Sequence, residues 1–141
     1  MNAHEDLPAE ILESARTIAV LGMKGDDDPG APANSVPRYL EAHGYTIIPV
    51  NPGLAGSGYP GAVATLADLK EPPDVVEVFR GADKLDLHVD ELLALRPKAV
   101  WFQLGIRNDD VARRLESAGI RVVQDRCMKV EHHRLHLPGG G

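Results

Sequence analysis

Thr17-Ile-Ala-Val-Leu21, closed by Gly22, is the stretch on which the reading of the fold turns. It is a nearly continuous apolar run, without the strict polar–apolar alternation of a strand that has one wet face. Strands buried on both faces look like this, as in a parallel sheet covered by helices. Four further runs of about the same length repeat the pattern: Thr46-Ile-Ile-Pro-Val50, Val75-Val-Glu-Val-Phe79, Ala99-Val-Trp-Phe-Gln103 and Ile120-Arg-Val-Val123.

Helical patterns separate them. Pro8–Ala15 turns Ile11 and Leu12 toward the sheet. Ser35 is read as the N-cap of a helix over Val36–His43, with Pro37 in its first turn and Gly44 as its stop. Leu85–Leu95 puts Leu85, Val89, Leu92 and Leu93 on one face and ends before Pro97. Asn108 or Asp109 caps a helix carrying Val111, Ala112, Leu115 and Ala118, with Gly119 as the stop. With a short helix between the second and third strands, strands and helices alternate along the chain. That order predicts a doubly wound α/β domain, with five parallel strands and right-handed crossovers.

Length and composition narrow the function. A chain of 141 residues is one domain by the usual range of about 100–200 residues. We take residues 14–135 as its core and Pro138–Gly141 as a flexible tail. Apolar residues at 43% supply a continuous core, and charged residues at 26% argue against wholesale disorder. The net charge of -6 argues against nucleic acid or an anionic membrane as the main partner. The acid is concentrated early: residues 1–106 hold 8 Lys/Arg against 16 Asp/Glu, and residues 107–141 hold 7 against 5. The single cysteine, Cys127, rules out an intramolecular disulfide and fits a reducing compartment. An acidic N-terminus with no apolar h-region, and no run of about 18 apolar residues, lead us to expect a cytoplasmic protein.

In such sheets ligands bind beyond the carboxyl ends of the strands, where the strand order reverses. The segments just past the strands are therefore the candidates. Gly22 lets a phosphate or sugar approach the backbone closely, and Ser35 opens a helix beside it. Of the next residues Val36 and Arg38 can donate an N–H, whereas Pro37 cannot. Arg80 and Arg107 come after the third and fourth strands. Glycine spacing excludes G-x-G-x-x-G, and Lys24 precedes Gly25, so no phosphate-loop lysine is present. The second strand ends in Asn51-Pro52, where an NAD site carries an acidic residue for the ribose diol. This disfavours NAD and leaves room for an adenine nucleotide with a phosphorylated ribose.

Six ordered blocks carry a family resemblance: Val20-Leu-Gly22; Ser35-Val36 through Tyr45; Ile48-Pro-Val-Asn-Pro52; Val76-x-Val-Phe-Arg80; Val100-Trp-Phe-Gln-Leu-Gly-Ile106; and Asp125-Arg-Cys-Met128 with Glu131-His-x-Arg-Leu135. Over residues 14–135 the chain resembles the small stand-alone CoA-binding proteins, relatives of the CoA-binding domain of succinyl-CoA synthetase. The resemblance implies a Rossmann-like sheet with coenzyme A lying across the strand carboxyl ends. It implies that Gly22, Met23 and Lys24 line the pyrophosphate or ribose and that Ser35 and Val36 meet phosphate. It places Asn51 and Pro52 at the adenosine ribose, and Phe79 and Arg80 beside the adenine. Gln103, Gly105 and Ile106 close the far side toward pantetheine. The chain departs from the family at Lys24, where a serine is usual, and at Asp26-Asp-Asp28, where the loop is usually basic. Lys24 offers a charge in place of the lost phosphate donor, while the acidic run opposes an anion within a screening length of about 8–10 Å.

Other residues have plainer readings. Cys127, His132, His133 and His136 lack metal-ligand spacing, so no metal is expected, and no catalytic constellation is recognisable. Trp101 and Phe102 read as core. Asp109/Asp110 and Asp90/Glu91 read as capping and solvated-face charges. The expected function is a non-enzymatic carrier or sensor of coenzyme A or acyl-CoA, with a protein partner possible. Its rivals are an acyl-CoA-handling enzyme completed by a partner chain, and an interaction module that kept the fold and lost the ligand.

Overall fold

A computed structural model describes residues 6–135. Most of the acidic N-terminus, His136 and the tail Pro138–Gly141 lie outside that range. The elements are α1 (Leu7–Ser14), β1 (Thr17–Leu21), α2 (Pro32–Ala42), β2 (Thr46–Val50), α3 (Pro52–Gly56), β3 (Val75–Val78), α4 (Val89–Leu95), β4 (Ala99–Phe102), α5 (Asp109–Ser117), β5 (Arg121–Val123) and α6 (Met128–Leu135). Turns of 3-10 helix at Leu66–Asp68 and Ala82–His88 precede β3 and α4 respectively. The five strands form one parallel sheet in the order β2-β1-β3-β4-β5, a Rossmann-like arrangement whose order reverses between β1 and β3.

Both faces of the sheet are buried, which is why the strands lack alternation. On one face Ile18, Val20, Ala99, Trp101 and Val123 pack against Ile11 and Leu12 of α1, Val36 and Leu40 of α2, and Met128 of α6. On the other, Ala19, Leu21, Val76, Val78, Val100 and Phe102 pack against Leu66, Val89, Leu92, Val111 and Leu115. Trp101 and Phe102 are core residues on opposite faces, and the indole N–H of Trp101 donates to the Arg126 carbonyl at 2.9 Å. Glu77 lies among these apolar strands. It is fully buried in the middle of β3, in register with Val20 and Trp101, and neither carboxyl oxygen has a hydrogen-bond partner.

Two helix boundaries differ from those expected. The helix expected from Val36 starts at Pro32 with Ala31 as its N-cap, so Ser35 is inside the helix and caps nothing. Pro37 consequently sits in the interior, where its missing N–H leaves the Ala33 carbonyl four residues back without its usual donor. The Lys24 N–H fills that role at 3.0 Å and ties the loop after β1 to α2. The segment expected as one helix over Leu85–Leu95 divides into the 3-10 stretch and α4, and Arg96 ends it in a left-handed conformation before Pro97. Asn108 is the residue that caps α5, accepting from the Val111 N–H at 3.0 Å.

Candidate functional site

The strand ends at the switch point are bound to one another. The Gly22 N–H donates to the Val50 carbonyl and the Phe79 N–H to the Leu21 carbonyl, each at 2.9 Å, which brings the loops after β1, β2 and β3 together. Gly22 has φ +86, a left-handed conformation. A Cβ there would lie 3.3 Å from Cδ of Arg80, so the first loop and the Arg80 side chain are in direct contact.

Asn51 is the joint of this edge. Its Nδ2 donates to the Met23 carbonyl at 2.8 Å and its Oδ1 accepts the Gly53 N–H at 2.7 Å, capping α3 at Pro52. The Met23 side chain is buried against α2, so only the main chain of Met23 faces the edge. Lys24 is exposed, and its Nζ lies 3.5 Å from Asp28. The helix start expected at Ser35 is corrected by the position of α2, which places Ser35 and Val36 inside the helix, past its first turn. The Ser35 N–H is already given to Ala31 at 2.9 Å, and Val36 is core.

The acidic loop is less uniform than its sequence. Asp26 accepts from Asn34 Nδ2 at 2.9 Å and from the Tyr59 hydroxyl at 3.1 Å, with Arg38 Nε at 3.6 Å. The Asn34 hydrogen bond, with help from Tyr59 and Arg38, holds the Asp26 carboxyl below the usual range. Asp26 is therefore a structural clasp, unlike its neighbours Asp27 and Asp28.

Alternation past β3 sends Phe79 and Arg80 to opposite faces. Phe79 packs on the α1, α2 and α6 side. Arg80 borders a cavity of about 160 Å³ whose lining also includes Leu21, Gly22, Val50, Asn51, Pro52, Thr65, Leu66, His88 and Glu91. Four of the expected site residues, Gly22, Asn51, Pro52 and Arg80, thus share one cavity. Thr65, Leu66, His88 and Glu91 join them from segments not expected in the site. The sequence carries a signal for the His88–Glu91 pair, a spacing of three residues that brings His88 Nδ1 to 3.1 Å from Glu91 Oε1, but none for the pair's place in the cavity. Glu91, expected as a solvated-face charge, has a side chain only 28% exposed in this pair.

Gln103, Gly105 and Ile106 gather elsewhere along the edge. Gln103 is buried, and its Oε1 accepts the Met128 N–H at 3.3 Å at the start of α6. The Gly105 N–H donates to Asp125 Oδ1 at 2.7 Å, and the Ile106 carbonyl accepts the Asp125 N–H at 3.1 Å. No atom lies within 4 Å of a Cβ placed on Gly105 (φ +88), which faces open space. Arg107 is paired with Asp109 at 3.1 Å. A larger cleft, about 570 Å³, opens at the opposite end of the sheet between Arg16, Tyr39, His43, Tyr45 and His132, and holds none of the expected site residues. Among the described residues no group of three His, Cys, Asp or Glu side chains is placed to hold a metal ion, and no helix is long and apolar enough to cross a membrane.

A family model described as a CoA binding domain matches residues 16–133. The chain belongs to this CoA-binding domain family. It is 34% identical over 123 residues to the uncharacterized protein YneT of Bacillus subtilis, covering 87% of this chain and 90% of that one. A solved structure from Thermus thermophilus, cell-free ID.343, is 51% identical with a TM-score of 0.85, covering 95% of this chain and 98% of the other. The fold also recurs in the dinucleotide-forming acetyl-coenzyme A synthetase 1 of Ca. Korarchaeum cryptofilum. That match has a TM-score of 0.62 and 22% identity, over 75% of this chain and 25% of the synthetase chain. Within the CoA-binding domain family, the cavity bordered by Gly22, Asn51 and Arg80 lies at the sheet's switch point, where the fold places ligands.

Proposed function

We propose that the protein binds coenzyme A or acyl-CoA without transforming it, as a cytoplasmic carrier or sensor. The observation that carries this reading is the convergence of Gly22, Asn51, Pro52 and Arg80 on one cavity at the switch point of a CoA-binding domain. Asn51 commits both amide atoms to Met23 and Gly53, so the end of β2 offers no carboxylate to a ribose diol. That favours a ligand with a phosphorylated ribose over NAD. We assign its phosphates to Lys24, exposed on the loop after β1, and Arg80, which borders the cavity.

Mass spectrometry of a denatured extract of the purified protein is expected to reveal coenzyme A or an acyl-CoA. By calorimetry, coenzyme A should bind roughly tenfold or more tightly than dephospho-CoA, the worth of one charged hydrogen bond. NAD should bind more weakly than either, and equal affinity for NAD and coenzyme A would sink the reading. Acetyl-CoA and succinyl-CoA should survive incubation with the protein. Hydrolysis or transfer faster than in a blank would make it an enzyme instead.

The acidic loop supplies a second test. Replacing Asp27 and Asp28 by serine leaves the Asp26 clasp intact and releases Lys24 from its pairing with Asp28. Coenzyme A affinity at low salt should rise about two- to fivefold, with the gain shrinking as salt is added. Weaker binding in the double variant would show that the repulsion argument is wrong.

A further inference from the structure

We infer that Asp125 is a positioning residue for the uncharged arm of the ligand, the part that the cavity beside Arg80 does not hold. This rests on the coenzyme A reading above and adds to it a residue and the chemistry of a second stretch of the edge. The cavity is about 160 Å³, below the roughly 300–1,000 Å³ of a site that encloses a drug-sized ligand, and coenzyme A is larger than most such ligands. The ends of β1, β2 and β3 supply much of the cavity's lining, and the next strand along the edge is β4. A ligand anchored in the cavity and running along the edge away from β2 therefore meets the loop after β4.

Asp125 clips that loop in place. It lies just past β5 with φ +57, a left-handed conformation that Asp and Asn tolerate better than other side chains. Its Oδ1 accepts the Gly105 N–H at 2.7 Å, and its own N–H donates to the Ile106 carbonyl at 3.1 Å. Gln124 extends the clip, its Oε1 accepting the Asn108 N–H at 2.7 Å. Gly105 is thus fixed at φ +88 with open space where a side chain would stand, so the clipped loop offers main chain to whatever runs along the edge. The charges of this stretch decide what that is. Arg107 is paired with Asp109 at 3.1 Å and Arg126 with Glu131 at 3.7 Å, while Asp125 is exposed. An exposed carboxylate repels a phosphate and accepts from an amide N–H, so the stretch suits an uncharged amide chain. The arm of coenzyme A that carries the thiol is such a chain. Asp125 acts on it through Gly105 and Ile106, by holding the loop ready and sparing the ligand the cost of ordering it.

Calorimetric titration with coenzyme A and with adenosine 3′,5′-bisphosphate, which lacks the arm, tests this directly. Asp125→Gly removes the side-chain clip, and glycine adopts the same left-handed backbone without strain. It should lower coenzyme A affinity about five- to tenfold and leave the bisphosphate within about twofold of wild type. Asp125→Asn keeps an oxygen for the Gly105 N–H and a tolerance of positive φ, so it should restore coenzyme A affinity to within about twofold. A merely structural role would lower both affinities together, and that outcome would overturn the proposal. So would an Asp125→Asn protein that loses coenzyme A affinity as Asp125→Gly does, since the charge and not the clip would then matter. Melting curves accompany each variant, and a folded Asp125→Gly protein that binds coenzyme A as wild type does would also overturn it. Wild type that binds coenzyme A no more tightly than the bisphosphate would overturn this inference and leave the coenzyme A reading standing. Wild type that binds neither compound would overturn both.

Discussion

Glu77→Gln is expected to make the protein more stable than wild type by a margin that widens with pH. The Glu77 carboxyl is fully buried in β3 with no hydrogen-bond partner, and desolvation raises its pKa from 4.5 to about 8. In the unfolded chain the group ionises near 4.5, while in the folded protein it holds its proton until about pH 8. Between those values the folded state binds one proton more than the unfolded state, so stability falls as pH rises. The loss is about 1.4 kcal/mol per pH unit, on the order of 5 kcal/mol across the whole window. It is absent below the unfolded value and complete above the folded one. Glutamine keeps the shape and cannot ionise, so the difference between the two proteins isolates this group from every other titration. Urea unfolding of both at about pH 4.5, 6, 7.5 and 9 measures it. Parallel pH profiles would mean that Glu77 is ionised and partnered in the folded protein.

Gly22→Val is expected to abolish coenzyme A binding and to destabilise the fold as well. The residue has φ +86, where a β-branched side chain is strained by roughly 1–3 kcal/mol or more. Its Cβ would stand 3.3 Å from Arg80 Cδ, so the substitution also presses on the side chain that borders the cavity. Gly105→Val separates the two effects. Gly105 shares the positive φ, but its Cβ would meet open space on the other stretch of the edge. Its strain should lower the melting temperature without disturbing Arg80, and it should weaken binding by obstructing that wall. Calorimetry and melting curves on both variants give the comparison. A folded Gly22→Val protein that binds coenzyme A as well as wild type would remove the first loop from the site.

A residue's role is legible in the sequence to the extent that the role is local. Five apolar runs and the helices between them are enough for the α/β class, because burial on both faces removes alternation from the strand itself. Gly22, Asn51, Pro52 and Arg80 can be found by inspecting the residues just past each strand, since the fold places ligands there. Ser35 misleads for a physical reason. A serine two residues before a proline resembles a helix start, and the feature that lets Pro37 stay inside α2 is a hydrogen bond from Lys24, outside the helix. The acidic loop misleads in the same way: three adjacent aspartates look equivalent until Asn34 and Tyr59 claim one of them.

The strands, their burial, the family and the edge that holds the candidate site are all written in local runs and spacings. Which residues meet at that edge is settled by packing in three dimensions. His88 and Leu66 reach the cavity because two 3-10 turns fold back over the ends of β1 and β2, and no sequence spacing records that approach. The same holds for Glu77. A charged residue in a short apolar run is compatible with an edge or a wet face, and a sheet covered on both sides leaves it neither. Periodicity reports contacts along one element, whereas a site and a buried charge are made by elements distant in sequence.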